Sequence, residues 1–409
     1  MLISVVCCYS ERGKQMELAK AYDCTGCGAC EQRCPQNAIF FADDHEGFPT
    51  PHIQKDKCIE CGLCNKVCPA LNMPGTNSIR NAYAAQLKDT DKLRESTSGG
   101  VFTALAREIL RRGGIVYGCV WSDDYEAIIC KAESEADIIA MHGSKYVWSR
   151  AGDTFPEIRE LLGENRAVLF TGLPCQIAGL RNYLGKEYSN LYAVSLFCGG
   201  APSPLALQKY LQTISRKTPL DQLHLKFRDK EPNGVGVNVS YQRRHKRVHQ
   251  SYVSNSYYYA FYKKVINRRS CYHCQYRYEN RIDDLTMGDY WRVGRYHQEF
   301  DIKSGVSAVL VNSIRGEELF DSIRNQLKIS ATHVESIASY NNLTLGTEKK
   351  IFPIPSFRED FFLLLEKKGW KAAEWKYMNN KERIRLWIGS IVPIGIKRVL
   401  KRLSIGGKQ

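Results

Sequence analysis

The chain has 409 residues, of which 44% are hydrophobic and 25% are charged, and these values exclude a largely disordered protein. They allow two or three globular domains, and the net charge of +15 indicates an anionic partner without identifying it. The first residues, MLISVVCCYSERGK, carry no basic residue ahead of their apolar run and make a poor signal peptide. We therefore expect a cytoplasmic chain, in which sixteen cysteines favour metal binding or redox chemistry over disulfides.

In chain order, the sequence divides into segments of different character. One segment holds eight cysteines and little that could form a core. After it, apolar runs such as GGIVYGCVW and RAVLF alternate with helical patterns such as GGVFTALAREILRR, which predicts an α/β domain with a substantially parallel sheet. The stretch GVGVNVSYQRRHKRVHQSYV predicts an antiparallel hairpin inserted into that domain, and the end of the chain is helical and basic. The predicted segments are 1–20, 21–75, 79–150, 151–335 and 355–409.

Two copies of one cysteine motif are the strongest signal in the sequence. Each copy has the spacing C-x2-C-x2-C-x3-C and is followed by a proline, Pro35 or Pro69. In bacterial ferredoxins the first three cysteines of such a motif bind one 4Fe–4S cluster and the fourth binds the other cluster. Zinc knuckles, the alternative, pair two C-x2-C halves across a longer gap. We therefore predict an α+β ferredoxin domain with two clusters, one held by Cys24, Cys27, Cys30 and Cys68 and the other by Cys58, Cys61, Cys64 and Cys34.

Another four cysteines lie outside this domain and point to a common site. Cys175, in TGLPCQ, follows the predicted strand RAVLF, and Cys198 follows NLYAVSLF. Ligands of open α/β sheets bind at the carboxyl ends of the strands, where these two thiols would lie. Cys271 and Cys274 are spaced as a two-thiolate chelate. Together the four thiolates match the number that a third 4Fe–4S cluster needs.

Other interpretations of the same cysteines stay open. Taken alone, Cys175 is a candidate buried thiol or nucleophile, because a helix N-terminus favours a thiolate. Cys271 and Cys274 alone would suit half a zinc site or a redox pair. Cys119 and Cys130 lie inside apolar strands, and we predict that they belong to the core.

Seven motifs together resemble a known family. In chain order they are ESTSGGVFTALA, GSKYVWS, TGLPCQIAGL, SLFCGGAPSP, FRDK, CYHCQY and DDLTMGDYW. In this order the sequence resembles the family of beta subunits of coenzyme F420 hydrogenases and dehydrogenases, whose N- and C-terminal parts would be residues 79–150 and 151–335. The resemblance implies a flavin-binding α/β domain with its own 4Fe–4S cluster, whose ligands would be Cys175, Cys198, Cys271 and Cys274. Leu173 and Arg292 depart from the family pattern near the expected substrate pocket.

The sequence also predicts where a flavin, taken to be FAD, would bind. A flavin converts single electrons into hydride, which a ferredoxin cannot do. STSGG opens a helix and offers hydroxyls and N–H groups to a phosphate, although a plain serine N-cap explains it too. Asp284 and Asp289 flank LTMG, where each would orient the flavin or hold an arginine. The predicted cofactor contacts are Ser96, Ser98, Gly99, Gly100, Lys145, Ser149, Arg228, Lys230 and Asp289, and no catalytic residue is predicted.

Charge is distributed unevenly along the chain. Residues 241–281 carry ten basic residues and one acidic residue, interleaved with tyrosines, a pattern that also suits single-stranded nucleic acid. No recognised nucleic-acid fold accompanies it, so we prefer an anionic flavin, deazaflavin or sugar nucleotide as the partner. Residues 381–409 carry eight basic residues and one acidic residue and predict an interfacial helix at the inner face of the cell membrane. A terminal helix docked on the fold is the alternative.

These features predict an iron–sulfur flavoprotein oxidoreductase. It would pass electrons between ferredoxin-type clusters and a flavin, which would exchange hydride with a soluble substrate or a redox partner. A deazaflavin coenzyme and an intermediate of a polysaccharide pathway both suit the resemblance. The alternatives are an electron-transfer subunit without a substrate site of its own and an iron–sulfur protein that binds nucleic acid.

Overall fold

The computed structural model of the protein describes residues 18–216, 218–231, 234–236, 238–277, 279, 281–341, 352–379, 383–384 and 386. Cys7 and Cys8, for which the sequence identifies no partner, lie outside these residues. The interfacial helix predicted within 381–409 lies outside them as well, apart from three residues. Among the described helices, none is both long and apolar enough to cross a membrane.

The segment with the doubled cysteine motif folds into a small α+β module. Its elements are α1 (Ala29–Gln32), β1 (Ile39–Asp43), β2 (Pro49–Ile53) and α2 (Leu63–Val67). The strands form an antiparallel hairpin, and each cysteine motif runs into one of the short helices. Gly28 (φ 82°) and Gly62 (φ 74°) precede these helices in the left-handed region, which only glycine enters without strain. The two halves of the module therefore repeat the same local geometry.

The rest of the described chain forms a larger α/β domain. Its strands are β3 (Asn81–Leu87), β4 (Ile115–Trp121), β5 (Ala127–Ala132), β6 (Ser149–Arg150), β7 (Val168–Gly172), β8 (Leu191–Leu196), β9 (Lys226–Phe227), β10 (Asn238–Arg243), β11 (Lys246–Ser251), β12 (Leu285–Asp289), β13 (Ser307–Val311) and β14 (Leu327–Ala331). Its helices are α3 (Thr90–Glu95), α4 (Val101–Arg111), α5 (Glu135–Met141), α6 (Thr154–Gly163), α7 (Pro174–Leu184), α8 (Pro204–Ile214), α9 (Ser256–Tyr262), α10 (Ile314–Ser322), α11 (Val334–Asn341), α12 (Arg358–Lys368) and α13 (Trp370–Met378).

Nine of these strands form one mixed sheet in the order β14-β3-β13-β12-β8-β7-β4-β5-β6. The central strands β12, β8, β7 and β4 are parallel to one another, as the alternating pattern predicts. The flanks are largely antiparallel, because β14, β3, β13 and β12 pair antiparallel and so do β4 and β5. A parallel pair needs a crossover of a dozen or more residues, and only residues 122–126 join β4 to β5. The prediction of a parallel sheet therefore holds for its centre.

The predicted inserted hairpin is present as β10 and β11. Its register places Asn238 opposite Ser251 and Arg243 opposite Lys246, and β9 adds a third antiparallel strand. This small sheet packs on α8, α9, α12 and α13 in one buried cluster that includes Tyr257 and Trp370. The insertion and the C-terminal helices thus form a common layer.

The large sheet is covered on both faces, and the ferredoxin module packs on one of the covering helices. On one face α4, α5 and α10 contribute to a single apolar cluster. On the other face α6 and α7 share a cluster with Cys27, Ala29 and Val67 of the module. A Cβ atom added to Gly179 of α7 would lie 2.8 Å from Sγ of Cys27. This close approach fixes the module against the helix that carries Cys175.

We predict that Gly179→Ala destabilises the protein although alanine ordinarily favours a helix. The added methyl group would press on Cys27, and such overpacking lowers the free energy of unfolding by about 1–3 kcal/mol. The measurement is anaerobic chemical denaturation of the variant beside the unsubstituted protein. Gly163→Ala in α6 is the matched control, because no atom lies within 4 Å of its added Cβ, and it should be neutral or stabilising by up to about 1 kcal/mol. Equal effects of the two substitutions would contradict the prediction.

Candidate functional site

The carboxyl ends of the parallel strands bring the predicted residues to one edge of the sheet. β7 ends at Gly172, and Cys175 follows on the first turn of α7. β8 ends at Leu196, and Cys198 lies two residues beyond it. β12 ends at Asp289, and it is parallel to β8. The three strands are neighbours in the sheet, so their ends present a shared surface.

Four cysteines from separate segments line one cavity at this edge: Cys175, Cys198, Cys271 and Cys274. Burial raises the pKa of the Cys175 thiol well above its ordinary value, and the other three thiols raise it further. Burial likewise raises the pKa of Cys274 to about 12, with Cys271 as the next cause. Such thiols stay protonated unless a cation replaces the protons, which is what a metal or an iron–sulfur cluster does. None of them forms a disulfide.

Backbone N–H groups also point at the sulfur atoms of this cavity. Gly200 N lies 3.4 Å from Sγ of Cys198, and Ala201 N lies 3.3 Å from Sγ of Cys271. N–H groups of this kind stabilise cluster thiolates and tune their potential. The donor set of the cavity therefore fits a 4Fe–4S cluster.

The first ferredoxin set lines a second cavity, with Cys24, Cys27, Cys30 and Cys68 around it. Burial, followed by the neighbouring Cys24 and Cys68 thiols, raises the pKa of Cys27 to about 12. Gly26 N lies 3.4 Å from Sγ of Cys24. The fourth cysteine of the second motif thus joins the first three of the first motif, in the arrangement that the spacing predicts.

The second ferredoxin set lines a third cavity and lies nearer the surface. Its thiols are those of Cys34, Cys58, Cys61 and Cys64. Cys61 is exposed, and Ala38 N lies 3.2 Å from Sγ of Cys34. This set is therefore the one whose thiols reach the protein surface at Cys61.

The sheet-edge cavity lies next to the first ferredoxin set. The thiol of Cys27 is among the groups that raise the pKa of Cys175. The indole N–H of Trp148 donates to the carbonyl of Thr25 at 3.4 Å, and both residues line the sheet-edge cavity. The three thiol sets therefore form a continuous series from the surface to the interior.

The STSGG segment lies at the ends of β3 and β13, on the same edge. Gly99 N donates to Oγ of Ser307 at 3.0 Å, and its carbonyl accepts from Leu87 N at 2.8 Å. A Cβ atom on Gly99 would lie 2.3 Å from the carbonyl of Ala85. Gly100 (φ 79°) is the N-cap of α4 and provides no side-chain cap for the first N–H groups of that helix. The first glycine thus has a packing role, and the second leaves a helix end without a side-chain cap.

Two basic residues that the sequence predicts as cofactor contacts bind protein groups beside the STSGG segment. The guanidinium of Arg228 pairs with Asp289 at 2.7 Å and stacks over the ring of Trp291 at 4.7 Å. Nζ of Lys230 donates to the carbonyls of Leu93 (2.6 Å) and Ser98 (3.0 Å). Burial is the main cause that lowers the pKa of Lys230 to about 8. Two buried atoms, Nη2 of Arg228 and Oδ1 of Asp289, have no partner among the described residues.

Side-chain hydrogen bonds connect Ser96 of the STSGG segment through Thr103 to His142. Oγ of Ser96 lies 3.4 Å from Oγ1 of Thr103, which lies 3.0 Å from Nε2 of His142. Nζ of Lys145 donates to the carbonyl of His142 at 2.9 Å and to that of Met141 at 3.0 Å, at the C-terminus of α5. Lys145 therefore serves as a half-buried cap of that helix.

Ser149 belongs to the surroundings of the sheet-edge cavity. Its hydroxyl and its carbonyl both accept from Nε2 of Gln176, the residue after Cys175. In the sheet, β7 and β8 lie between β6, which contains Ser149, and the pair β3 and β13, beside which Ser98 lies. Cys175 and Cys198 follow β7 and β8 in the chain. The predicted cofactor contacts thus flank the sheet-edge cavity on two sides.

Comparison with known protein families identifies the larger domain. Residues 82–154 match the family described as coenzyme F420 hydrogenase/dehydrogenase, beta subunit N-term, and residues 165–337 match its C terminus. Residues 23–72 match the 4Fe-4S dicluster domain. The chain belongs to the family of coenzyme F420 hydrogenase/dehydrogenase beta subunits. It is an iron–sulfur member of an oxidoreductase family, with a 4Fe–4S ferredoxin domain at its N-terminal side.

Proteins of Methanosarcina and Methanocaldococcus are similar to this chain. One component of the F420H2 dehydrogenase of Methanosarcina mazei, itself a subunit, is 23% identical over 322 residues, which cover 75% of this chain and 84% of that protein. The coenzyme F420-dependent sulfite reductase of Methanocaldococcus jannaschii is 28% identical over 200 residues, 48% of this chain and 31% of the reductase. A chain of the F420-reducing [NiFe] hydrogenase complex of Methanosarcina barkeri has a TM-score of 0.45 and 17% identity, covering 66% of this chain and 88% of that chain.

Other residues that the sequence analysis singled out have structural roles in the fold. Asp284 lies at the opposite edge of the sheet, where it accepts from Ala193 N at 2.8 Å and pairs with Arg315 at 3.2 Å. Cys119 and Cys130 lie half-buried in β4 and β5. Tyrosines 257–259 of the basic stretch are buried in the core and cannot stack on bases, whereas Tyr262 is 55% exposed.

Sequence reasoning missed the cations around the sheet-edge cavity. Arg268 and Arg277 line it, and Nζ of Lys264 donates to the carbonyl of Gly199 at 2.6 Å beside it. Burial lowers the pKa of Lys264 to about 8. The signal that could have found them is their position near SCYHCQY in the basic stretch, which we interpreted only as a surface for an anionic partner.

We predict that burial of Lys145 makes stability depend on pH. Its pKa is lowered from 10.5 to about 8 in the folded protein, so between pH 8 and 10.5 the unfolded chain binds more protons and stability rises with pH. The difference in free energy of unfolding between the unsubstituted protein and Lys145→Met should therefore rise by at most about 1.4 kcal/mol per pH unit in that window. Denaturant titrations from pH 7 to 10.5 measure it. The exposed control Lys367→Met should show no such trend, and a flat difference for Lys145→Met would refute a buried cation.

Proposed function

We propose that this protein is an iron–sulfur flavoprotein oxidoreductase with a third 4Fe–4S cluster in its α/β domain. The convergence of Cys175, Cys198, Cys271 and Cys274 in one cavity is the observation that carries the proposal. The thiols come from segments up to 99 residues apart, and the backbone N–H groups of Gly200 and Ala201 face two of them. A lone nucleophile needs a neighbouring base, whereas the groups that act on the pKa of Cys175 are four other thiols. This donor set favours a cluster over the nucleophile and the redox pair.

The order of the three thiol sets supports a path for electrons. The second ferredoxin set is nearest the surface, and the first set abuts the sheet-edge cavity through Cys27. The close approach of Cys27 to Gly179 holds the module against α7, the helix that carries Cys175. We therefore assign entry or exit of single electrons to the exposed end near Cys61, and two-electron chemistry to the sheet edge.

The residues around the sheet edge support a flavin site. A bound flavin would supply conversion between single electrons and hydride. The helix end after Gly100 would bind a phosphate, and the unpartnered Nη2 of Arg228 and Oδ1 of Asp289 would donate to and accept from its polar groups. The half-buried Lys145 and the buried Lys230 would offset negative charge nearby. FAD is the form we propose.

The substrate that we favour is a deazaflavin coenzyme. Two relatives carry coenzyme F420 in their names, one a dehydrogenase component and one a sulfite reductase. An intermediate of a polysaccharide pathway is the other substrate that the resemblance suggests. The basic stretch 241–281 would attract an anionic substrate of either kind.

An electron-transfer subunit without a substrate site is the second candidate. It is favoured by the contacts of Arg228 and Lys230, because both cations already bind protein groups, and by the relative from Methanosarcina mazei, which is itself a subunit. In that case a partner protein would provide the chemistry, and the exposed ferredoxin face would contact it. We expect a redox partner protein under either proposal.

Counts of iron and flavin in anaerobically purified protein test the proposal. Three cubanes predict about twelve irons per chain, with one flavin released on denaturation. Eight irons without flavin would favour the electron-transfer subunit and would refute the third cluster. Reduction of a deazaflavin by the reduced protein, followed by absorbance, tests the substrate separately from the cofactor count.

Substitution of Cys175 tests the third cluster directly. Cys175→Ser should lose about four irons and leave the eight of the ferredoxin module, because each cubane needs four ligands. Cys130→Ser in β5 is the matched control and should keep all of its iron, since that thiol lies outside the three cavities. If Cys175→Ser keeps its iron but loses activity, Cys175 is a nucleophile instead.

A further inference from the structure

Arg268 lies between the first ferredoxin set and the sheet-edge cavity. Its backbone N–H donates to the carbonyl of Ala201 at 2.8 Å, and its own carbonyl accepts from Cys271 N at 2.9 Å. These bonds tie it to both sides of the sheet-edge cavity, which its side chain helps to line. Only 2% of the residue is exposed.

The side chain of Arg268 reaches from this cavity into the ferredoxin module. Nε donates to the carbonyl of Cys24 at 2.7 Å, and Nη2 donates to the carbonyl of Pro49 at 2.8 Å. Nη2 also lies 3.7 Å from Sγ of Cys24. The guanidinium faces the rings of Phe48 and Trp148 at 5.4 and 5.9 Å. The guanidinium of Arg268 thus contacts a thiol of the first ferredoxin set, and the same residue lines the sheet-edge cavity with its four thiols.

No carboxylate pairs with this guanidinium in the part of the chain that the structure describes. Nη1 is buried and has no hydrogen-bond partner there. Arg358 is equally buried, but it pairs with Glu46, which is the usual solution for a buried arginine. An ionised group that is buried without a counter-charge is strongly unfavourable. The thiolates and sulfides of bound clusters are anionic and would supply the missing counter-charge.

We propose that Arg268 is a positioning residue that raises the reduction potentials of the first and third clusters. This inference rests on the third cluster of the proposed function. Reduction adds one electron and one negative charge to a cluster, while the charge of a guanidinium stays fixed. A fixed positive charge and an N–H group aimed at sulfur both stabilise the reduced cluster, which is the more negative state. Charge and hydrogen bonds to sulfur are among the factors that set the reduction potential of a cluster. The same side chain borders both clusters and therefore makes both easier to reduce.

Reductive titration of loaded protein, followed by electron paramagnetic resonance, tests this role. Arg268→Met should lower the equilibrium constant for reduction of two clusters by about tenfold or more, which is about 59 mV for one electron. The cluster of Cys34, Cys58, Cys61 and Cys64 serves as the internal reference, because Arg268 does not line its cavity. Arg269→Met is the matched control with the same loss of charge, since that guanidinium pairs with Glu46 and Glu359 at 2.8 and 2.7 Å instead.

Arg268→Gln covers the case in which the methionine variant does not assemble. Glutamine keeps amide donors for the carbonyls of Cys24 and Pro49 but removes the charge, so the same fall in two potentials is expected. Unchanged potentials in a fully loaded Arg268 variant, or an equal fall in Arg269→Met, would overturn the inference. The iron count of the unsubstituted protein separates the two proposals, because eight irons would refute the third cluster whatever the Arg268 variants do to the first.

Discussion

The close contact between Cys27 and Gly179 is the constraint on which the arrangement of the protein depends. Glycine leaves room for the ferredoxin loop to lie directly on α7, the helix that begins next to Cys175. Two cysteine-bearing segments from different domains are thereby held side by side. Under the proposed function, this contact would give electrons of the iron–sulfur module a short route into the sheet domain.

Burial of charge and of thiols is the second constraint. The thiols of Cys175 and Cys274 are withdrawn from water beside other thiols, and Arg268 is buried without a carboxylate among the described residues. The thiols stay protonated unless a cation replaces their protons, and the buried guanidinium lacks an anion. An anionic cluster that contains iron would satisfy both at once. The apolar layers of the sheet, which pack α4 on one face and α7 on the other, hold these groups in place.

The same sheet edge presents the groups that we assign to a flavin. These groups are the start of α4, which has no side-chain cap, the Arg228–Asp289 pair, Lys145 at the end of α5, and Lys230, which donates to the carbonyl of Ser98. The family to which the chain belongs is one of oxidoreductase subunits, so a cofactor at this edge agrees with its chemistry. The opposite edge is a structural network instead, in which Asp284 fixes Arg315 and the start of α10 through Ser313.

Local patterns in the sequence determined the ferredoxin motif, the strands and helices of the sheet domain, and the position of Cys175 and Cys198 after two strands. These features depend on spacing and periodicity, which neighbouring residues set. The antiparallel pairing of β3 with β13 and β14 and the burial of tyrosines 257–259 depended on how distant segments pack. Only the tertiary structure decided that Arg268 lies between two groups of thiols and that Gly179 admits Cys27. Contacts between residues 244 or 152 positions apart leave no periodic trace in the sequence, because their geometry arises when the two domains pack together.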